Sequence, residues 1–271
     1  MTKYYTRACN FFYGHVSKEL VKKKLTIPLS GDDQISFNQI ELFSKNKNSV
    51  KSKIIKLKGI KKLPKKIRLK VIKDIKKIKE KKNFLGKKNH IIMGVINMTP
   101  DSFSDGGKFN SFNKAYRRIK EIINSGADIV DVGGESTRPG AKIILQKNEL
   151  KRVKKIVDKF KIKFPKTMFS IDTRKSLVID YSLKKKVDII NDISCFKFDI
   201  KSFDSVKNKN VWKIVHHMQG TPQTMQKNPK YNNVILDIYD FFEREIKKFK
   251  HDKYKSKLIL DPGIGFGKKL K

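Results

Sequence analysis

Six places along this chain set a carboxylate, an amide or an imidazole at the far end of a short apolar run: Asn97, Asp131 with the segment Glu135 to Arg138, Asp172, Asn191 with Asp192, His217, and Asp261. Taken singly, each is most simply a cap for the helix that follows, because Asp and Asn accept from exposed backbone N–H groups. Repetition argues for more, since IDT at 171–173, NDI at 191–193 and LDPG at 260–263 all place the polar group right after the apolar run. Carboxylates and amides gathered at one mouth suit a ligand rich in N–H donors, because every oxygen withdrawn from water must be satisfied by a hydrogen bond. A 2-amino-4-oxo heterocycle offers such donors, and a charge-assisted bond to each contributes roughly 1.5 to 3 kcal/mol. Thr137 and Arg138, followed by Pro139 and Gly140, supply donors and a permanent cation, which is what a phosphate group needs. Asn97 is a neutral oxygen ligand able to hold Mg2+ beside that phosphate. No nucleophile stands out in the set.

The elements that must position these residues are legible as apolar runs alternating with amphipathic stretches from His90 onward. Strands are expected over His90 to Asn97, Asp128 to Gly133, Met168 to Asp172, Asp188 to Ile193, Val211 to His217 and Lys257 to Asp261. Helical patterns lie between them, over Ser111 to Ser125, Lys147 to Phe160, Lys175 to Lys185, weakly over Ile200 to Lys207, and over Asn232 to Lys250. Runs such as IIMGVI and DIVDV are β-branched and nearly continuous in apolarity, as parallel strands covered on both faces must be. Two loops, NMTPDSFSDGG at Asn97 to Gly107 and GGESTRPGA at Gly133 to Ala141, are dense in Gly, Pro, Ser, Thr and Asp. Loops of that composition beyond a buried strand are where a barrel enzyme keeps its chemistry. The expected fold class is therefore α/β, a TIM (β/α)8-type barrel with only six βα strands present.

Residues 1–88 differ in character and are expected to form a small basic α+β extension to a barrel domain over 89–271. An early segment ending near Leu42 and Phe43 has the Phe, Tyr, Ile and Leu to make short strands. Within the Lys-saturated stretch from Lys45 to Lys88, Leu63, Ile67, Val71, Ile75 and Ile78 recur at steps of three and four, with Pro64 in first-turn position. That spacing predicts one amphipathic helix of about four turns. The formal net charge of +38 would favour a polyanion partner. The cations are overwhelmingly Lys, however, and Ile, Asn and Phe are abundant too, a pattern that an A/T-biased genome produces on its own. Nucleic-acid recognition also calls for aromatic or Arg platforms, and this stretch offers a single Phe84. Cys9 and Cys195 match no metal or disulfide spacing, and no apolar run reaches the length of a membrane span, so a reduced, cytoplasmic setting without membrane contact is expected.

The segments MGVINMTPDSFSDGG, DVGGESTRPGA, SIDT, INDI, HMQGTPQTMQ and LDPGIGFGK, in that order over nearly all of residues 90–269, resemble the dihydropteroate synthases. The resemblance implies a transferase of folate biosynthesis that condenses 6-hydroxymethyl-7,8-dihydropterin diphosphate with p-aminobenzoate, with Mg2+ and as a homodimer. It implies that Asp172, Asn191 and Asp261 hydrogen-bond the pterin ring, that Met218 and Phe266 line its slot, and that Asn97 coordinates Mg2+. Thr137 and Arg138 would bind the diphosphate, and Asp131, Thr137, Arg138 and Asp172 are the candidates for the chemical step. Loops Thr99 to Gly107 and Glu135 to Ala141 would be mobile and form the p-aminobenzoate site. Family members carry an SRKS-type segment on strand seven and an RxH segment on strand eight. Neither occurs here, so the expectation is a C-terminally incomplete barrel. Two other readings are an inactive homologue and a methyltetrahydrofolate-type methyltransferase, the latter opposed by the two intact loops.

Overall fold

The computed structural model describes residues 2–47, 49–81, 90–99, 108–138 and 140–269. The chain divides into two compact units, Met1–Asn89 and His90–Lys271. Phe84, Pro139 and all of the Thr99 to Gly107 loop beyond Thr99 lie outside the described residues.

In the first unit the strands are β1 (Lys3–Tyr13), β2 (Ile27–Leu29), β3 (Asp32–Lys45) and β4 (Val50–Lys56), with helix α1 (Gly14–Lys22) after β1 and helix α2 (Lys65–Lys79) last. Long β3 pairs antiparallel with β1 along one edge and with β2 and β4 along the other. The stripe read from the sequence is the face α2 packs down: Val71 is fully buried, and Ile67, Ile75 and Ile78 join Phe37, Ile40 and Leu42 of β3 in one cluster. Two features depart from the sequence expectation. β1 and β3 are long rather than short, and the Lys-rich stretch holds a strand as well as a helix. β4 is a mostly exposed edge whose lysines fall on both faces, with Lys51 and Lys53 on the same side as core-packed Ile55, so the period of two is masked by charge.

The second unit holds six parallel strands: β5 (Met93–Asn97), β6 (Ile129–Gly133), β7 (Met168–Asp172), β8 (Ile189–Asp192), β9 (Trp212–His216) and β10 (Leu258–Asp261). They lie side by side in sequence order. Between them run α3 (Lys108–Asn124), α4 (Gln146–Lys163), α5 (Ser176–Lys184), the short α6 (Ser202–Val206) and α7 (Val234–Lys248). One sheet face is apolar and covered by helices: Ile96, Val132, Ile171, Ile190 and Val215 share a core with Ala115, Ile119, Val153, Val157 and Phe242. Strand residues alternate between faces, so Asn97, Asp131, Ser170, Asp172 and Asn191 stand together on the other face.

Candidate active site

Register sets the site. Asn97 pairs with Gly133, Gly133 with Asp172, and Asp172 with Asn191, giving one row across four strand ends. Gly133 leaves room in that row: a Cβ there would lie 3.4 Å from Asp172 Oδ2 and 3.5 Å from Asn97 Oδ1, so the two flanking oxygens converge over it. One step down, Asp131 pairs with Ser170, and Asn191 Nδ2 donates to Asp131 Oδ2 at 3.0 Å. Further along the sheet, Asp261 pairs with His216 on the same face. Two expected mouth residues belong elsewhere. Asp192 alternates to the helix-covered side, where its Oδ1 accepts from the backbone and hydroxyl of Ser194. His217 also follows the alternation, with its ring edge-on to Phe241 of α7 at 4.7 Å.

The row is short of hydrogen-bond donors. Asp131 Oδ1 and Asn191 Oδ1 are buried with no hydrogen-bond partner among the described residues. Burial raises the Asp131 carboxyl above its usual range, with the Ser170 hydroxyl and then the Asn191 amide opposing. Asp172 is raised further, first by desolvation and then by the neighbouring carboxylates Asp131, Glu149, Asp192 and Glu135. A cluster of carboxylates that resist ionisation when empty favours a ligand that brings N–H donors and stabilises the charge. For a hard cation, Asn97 offers a neutral amide oxygen at an exposed strand end beside Asp172. No set of three His, Cys, Asp or Glu among the described residues forms a metal cage. The donor set thus fits Mg2+ carried mainly by phosphate oxygens and water, the usual way this ion is held.

The loop after β6 is anchored at its base. Burial alone would raise Glu135, but Arg174 Nε at 2.8 Å and Lys175 Nζ at 2.7 Å, with the Ile144 N–H, hold it below the usual carboxylate range. Lys175 also reaches buried Glu149, which accepts from Thr173. Beyond Glu135, Thr137 is half-buried and Arg138 is exposed. The loop's far side meets the segment after β9, where the Gly140 N–H donates to the Pro222 carbonyl and Gln223 Nε2 to the Ala141 carbonyl at 2.8 Å. Met218 and Phe266 are both half-buried. Phe266 stands edge-on to His216 at 4.6 Å, and His216 Nε2 lies 3.8 Å from Asp261 Oδ2. His216 was without context in the sequence. Only its pairing with Asp261 reveals it, and the Glu135–Arg174–Lys175–Glu149 network is hidden for the same reason, since its bonds join residues 26 to 40 positions apart.

Residues 93–271 match the family model described as pterin binding enzyme. The dihydropteroate synthase of Escherichia coli strain K12 is 42% identical over 180 residues, covering 66% of this chain and 63% of that protein. A crystal structure of the Yersinia pestis dihydropteroate synthase with a sulfonamide drug superimposes with a TM-score of 0.61 at 38% identity, covering 66% of this chain and 65% of that one. The Burkholderia cenocepacia enzyme, solved with 7,8-dihydropteroate, gives 0.57 at 35% identity, covering 67% and 61%. This chain spans less than two thirds of the length of each of these relatives.

Proposed function

Because this chain belongs to the pterin-binding enzyme family, with the α/β fold of its TIM-barrel-type dihydropteroate synthases, we propose that it binds a pterin diphosphate and transfers the pterin-methyl group to p-aminobenzoate. The carrying observation is the pair of buried, unpartnered acceptors, Asp131 Oδ1 and Asn191 Oδ1, in the row that also holds Asp172. They await the N–H and amino donors of a pterin edge, and a buried acceptor left unpaired costs about 1 to 3 kcal/mol. In this reading Asp172, Asn191 and Asp261 take the ring's donors, Asp131 orients Asn191, and Met218 with Phe266 close on the ring faces. Thr137 and Arg138 hold the diphosphate, Arg138 through its planar guanidinium. Asn97 would hold Mg2+, which supplies charge neutralisation to the departing diphosphate. The C–O bond breaks with its electron pair leaving on the diphosphate. The arylamine nitrogen then attacks the pterin-methyl carbon and gives up a proton. This demands electrostatic stabilisation and exclusion of water rather than a strong base, consistent with buried Asp131 and half-buried Asp172 on one sheet face. No helix among the described residues is long and apolar enough to cross a membrane, and the proposed setting is the cytoplasm.

Asp172 gives the test. Its carboxyl titrates high when the site is empty, and donors from a pterin lower it, so binding releases a proton and strengthens as pH rises toward the empty-state value. Calorimetric titration with 6-hydroxymethylpterin in two buffers of different ionisation enthalpy should show that release. Asp172→Asn should abolish it and weaken binding about 10- to 100-fold. Unchanged affinity in Asp172→Asn, or no binding by the unaltered chain, defeats the reading.

A further inference from the structure

The turn after β10 carries Phe266 and follows Asp261, yet its own apolar residue does not anchor it: Ile264 is 86% exposed. Three glycines in five residues, Gly263, Gly265 and Gly267, have φ of +65°, +88° and +64°, a left-handed backbone that side chains rarely adopt. A segment so rich in glycine is expensive to order, because Gly loses more backbone freedom than any other residue. Something must fix it against β9, and the contact there is close: a Cβ on Gly263 would lie 2.1 Å from the His217 carbonyl oxygen.

We propose that Lys268 is a positioning residue, whose ammonium ties this turn to the end of β9 and thereby holds Phe266 and Asp261 in place for the pterin ring; the inference rests on the pterin reading above. Lys268 Nζ donates to the carbonyls of Gly263 at 2.7 Å, Phe266 at 3.0 Å and His217 at 3.2 Å, and lies 3.1 Å from His217 Nδ1. An ammonium has three N–H donors and no acceptor, so a ring of carbonyls from two strand ends suits it. The tie reaches the site by two routes. Gly263, held through its carbonyl, donates its N–H to Asp261 Oδ1 at 2.7 Å, which orients that carboxylate. Phe266, held through its carbonyl, presents its ring edge-on to His216, the residue paired with Asp261. Gln226 and Tyr231 bond the carbonyls of Gly265 and Gly267, so they fasten the turn to the segment after β9, while Lys268 alone among these three reaches the strand end itself. Burial lowers the Lys268 amine to about 8, with Asp261 opposing and the imidazole of His217, the residue after β9, facing it. The same amine in water would titrate near 10.5; withdrawal from water disfavours the charged form, and the carbonyls that accept from it offset only part of that cost. Arginine would not replace it, because a planar fork does not fit a compact ring of carbonyls.

Two variants test the tie. Lys268→Met keeps the stem and removes the charge. Lys268→Cys can be alkylated with 2-bromoethylamine, which restores an ammonium at the same reach, or with iodoacetamide, which leaves a neutral amide; the unaltered chain, carrying Cys9 and Cys195, is treated in parallel. Amide hydrogen exchange is read across 258–269 without ligand, and 6-hydroxymethylpterin is then titrated. Lys268→Met should speed exchange in 262–268 about tenfold while peptides of α4 hold, and should raise the pterin Kd about tenfold. The aminoethylated protein should regain both properties and the amide adduct neither, a rescue that loss of bulk packing would not give. Unaltered exchange in Lys268→Met, or equal behaviour of the two adducts, overturns the proposal. Should the unaltered chain bind no pterin, the function reading falls, and the exchange comparison still decides for or against the tie.

Discussion

Asp192 separates the two kinds of carboxylate at this strand end. It adjoins Asn191 in sequence but faces the helices, fully buried, with Oδ2 lacking a partner among the described residues. Desolvation pushes its carboxyl up to about 7, against the opposing bonds from Ser194 and Phe196. Because the folded value lies above the unfolded one, near 4, the charged form is disfavoured by folding. That penalty is complete above pH 7 and vanishes as pH falls toward 4, where the unfolded chain too becomes protonated. Asp192→Asn retains the Oδ1 acceptor and removes the charge, so it should raise the melting temperature at pH 8 and match the unaltered protein near pH 4. An equal gain at both pH values would show that the charge is not responsible. The sequence could not separate Asp192 from Asn191, since both follow the same apolar run and only the pleat tells them apart. Asn97, Asp172 and Asn191 were legible as a row because a carboxyl-end position repeats in each βα unit. His216 and Lys268 were not, because their meaning lies in the partners that β9 and β10 bring together.

At the scale of elements, the loop that presents Thr137 and Arg138 depends on how closely β6 approaches α4. A Cβ on Gly134 would meet Glu149 Cγ and Val153 Cγ1 at 2.9 Å and the Glu149 carbonyl at 3.0 Å, and Arg152 donates to the Gly134 carbonyl at 2.9 Å. Backbone and a fully buried side chain have little room to yield, so Gly134→Ala should cost about 1 to 3 kcal/mol and lower the melting temperature by several degrees. A melt indistinguishable from the unaltered protein would show that the helix moves freely aside. Glu149 is also the partner of Lys175, which holds Glu135, so the same substitution should loosen the base of the loop. The order and approximate bounds of the six strands were readable from their apolar runs, with β7 at 168–172 read to the residue and the others within a few positions. Helix α1 and strand β4 were not readable. GHVSKELVK has a short apolar stripe that lysines interrupt, and β4 is an edge whose lysines point to water, so in both cases charge hides the period on which a sequence reading depends.

For the whole molecule, charge and architecture are divided unevenly. Residues 1–89 carry 26 Lys and Arg against six Asp and Glu, yet this unit has its own apolar core around Phe37, Ile40 and Val71, separate from the core that the six parallel strands share with their helices. Two cores predict two folding transitions, since cooperativity follows contiguous packing. The chain's one tryptophan, Trp212, lies in β9 and reports on the second unit alone. Val71→Asp places an unpaired carboxylate against Ile40 and Leu42, a change of the kind that costs several kcal/mol, more than a small unit with a modest core can sustain. Far-ultraviolet dichroism should then lose the contribution of the antiparallel sheet and α2, while the Trp212 fluorescence transition and pterin uptake keep their unaltered midpoints. A Trp212 transition that shifts together with the dichroism would mean that the two units unfold as one, and that the basic segment takes part in the stability of the site.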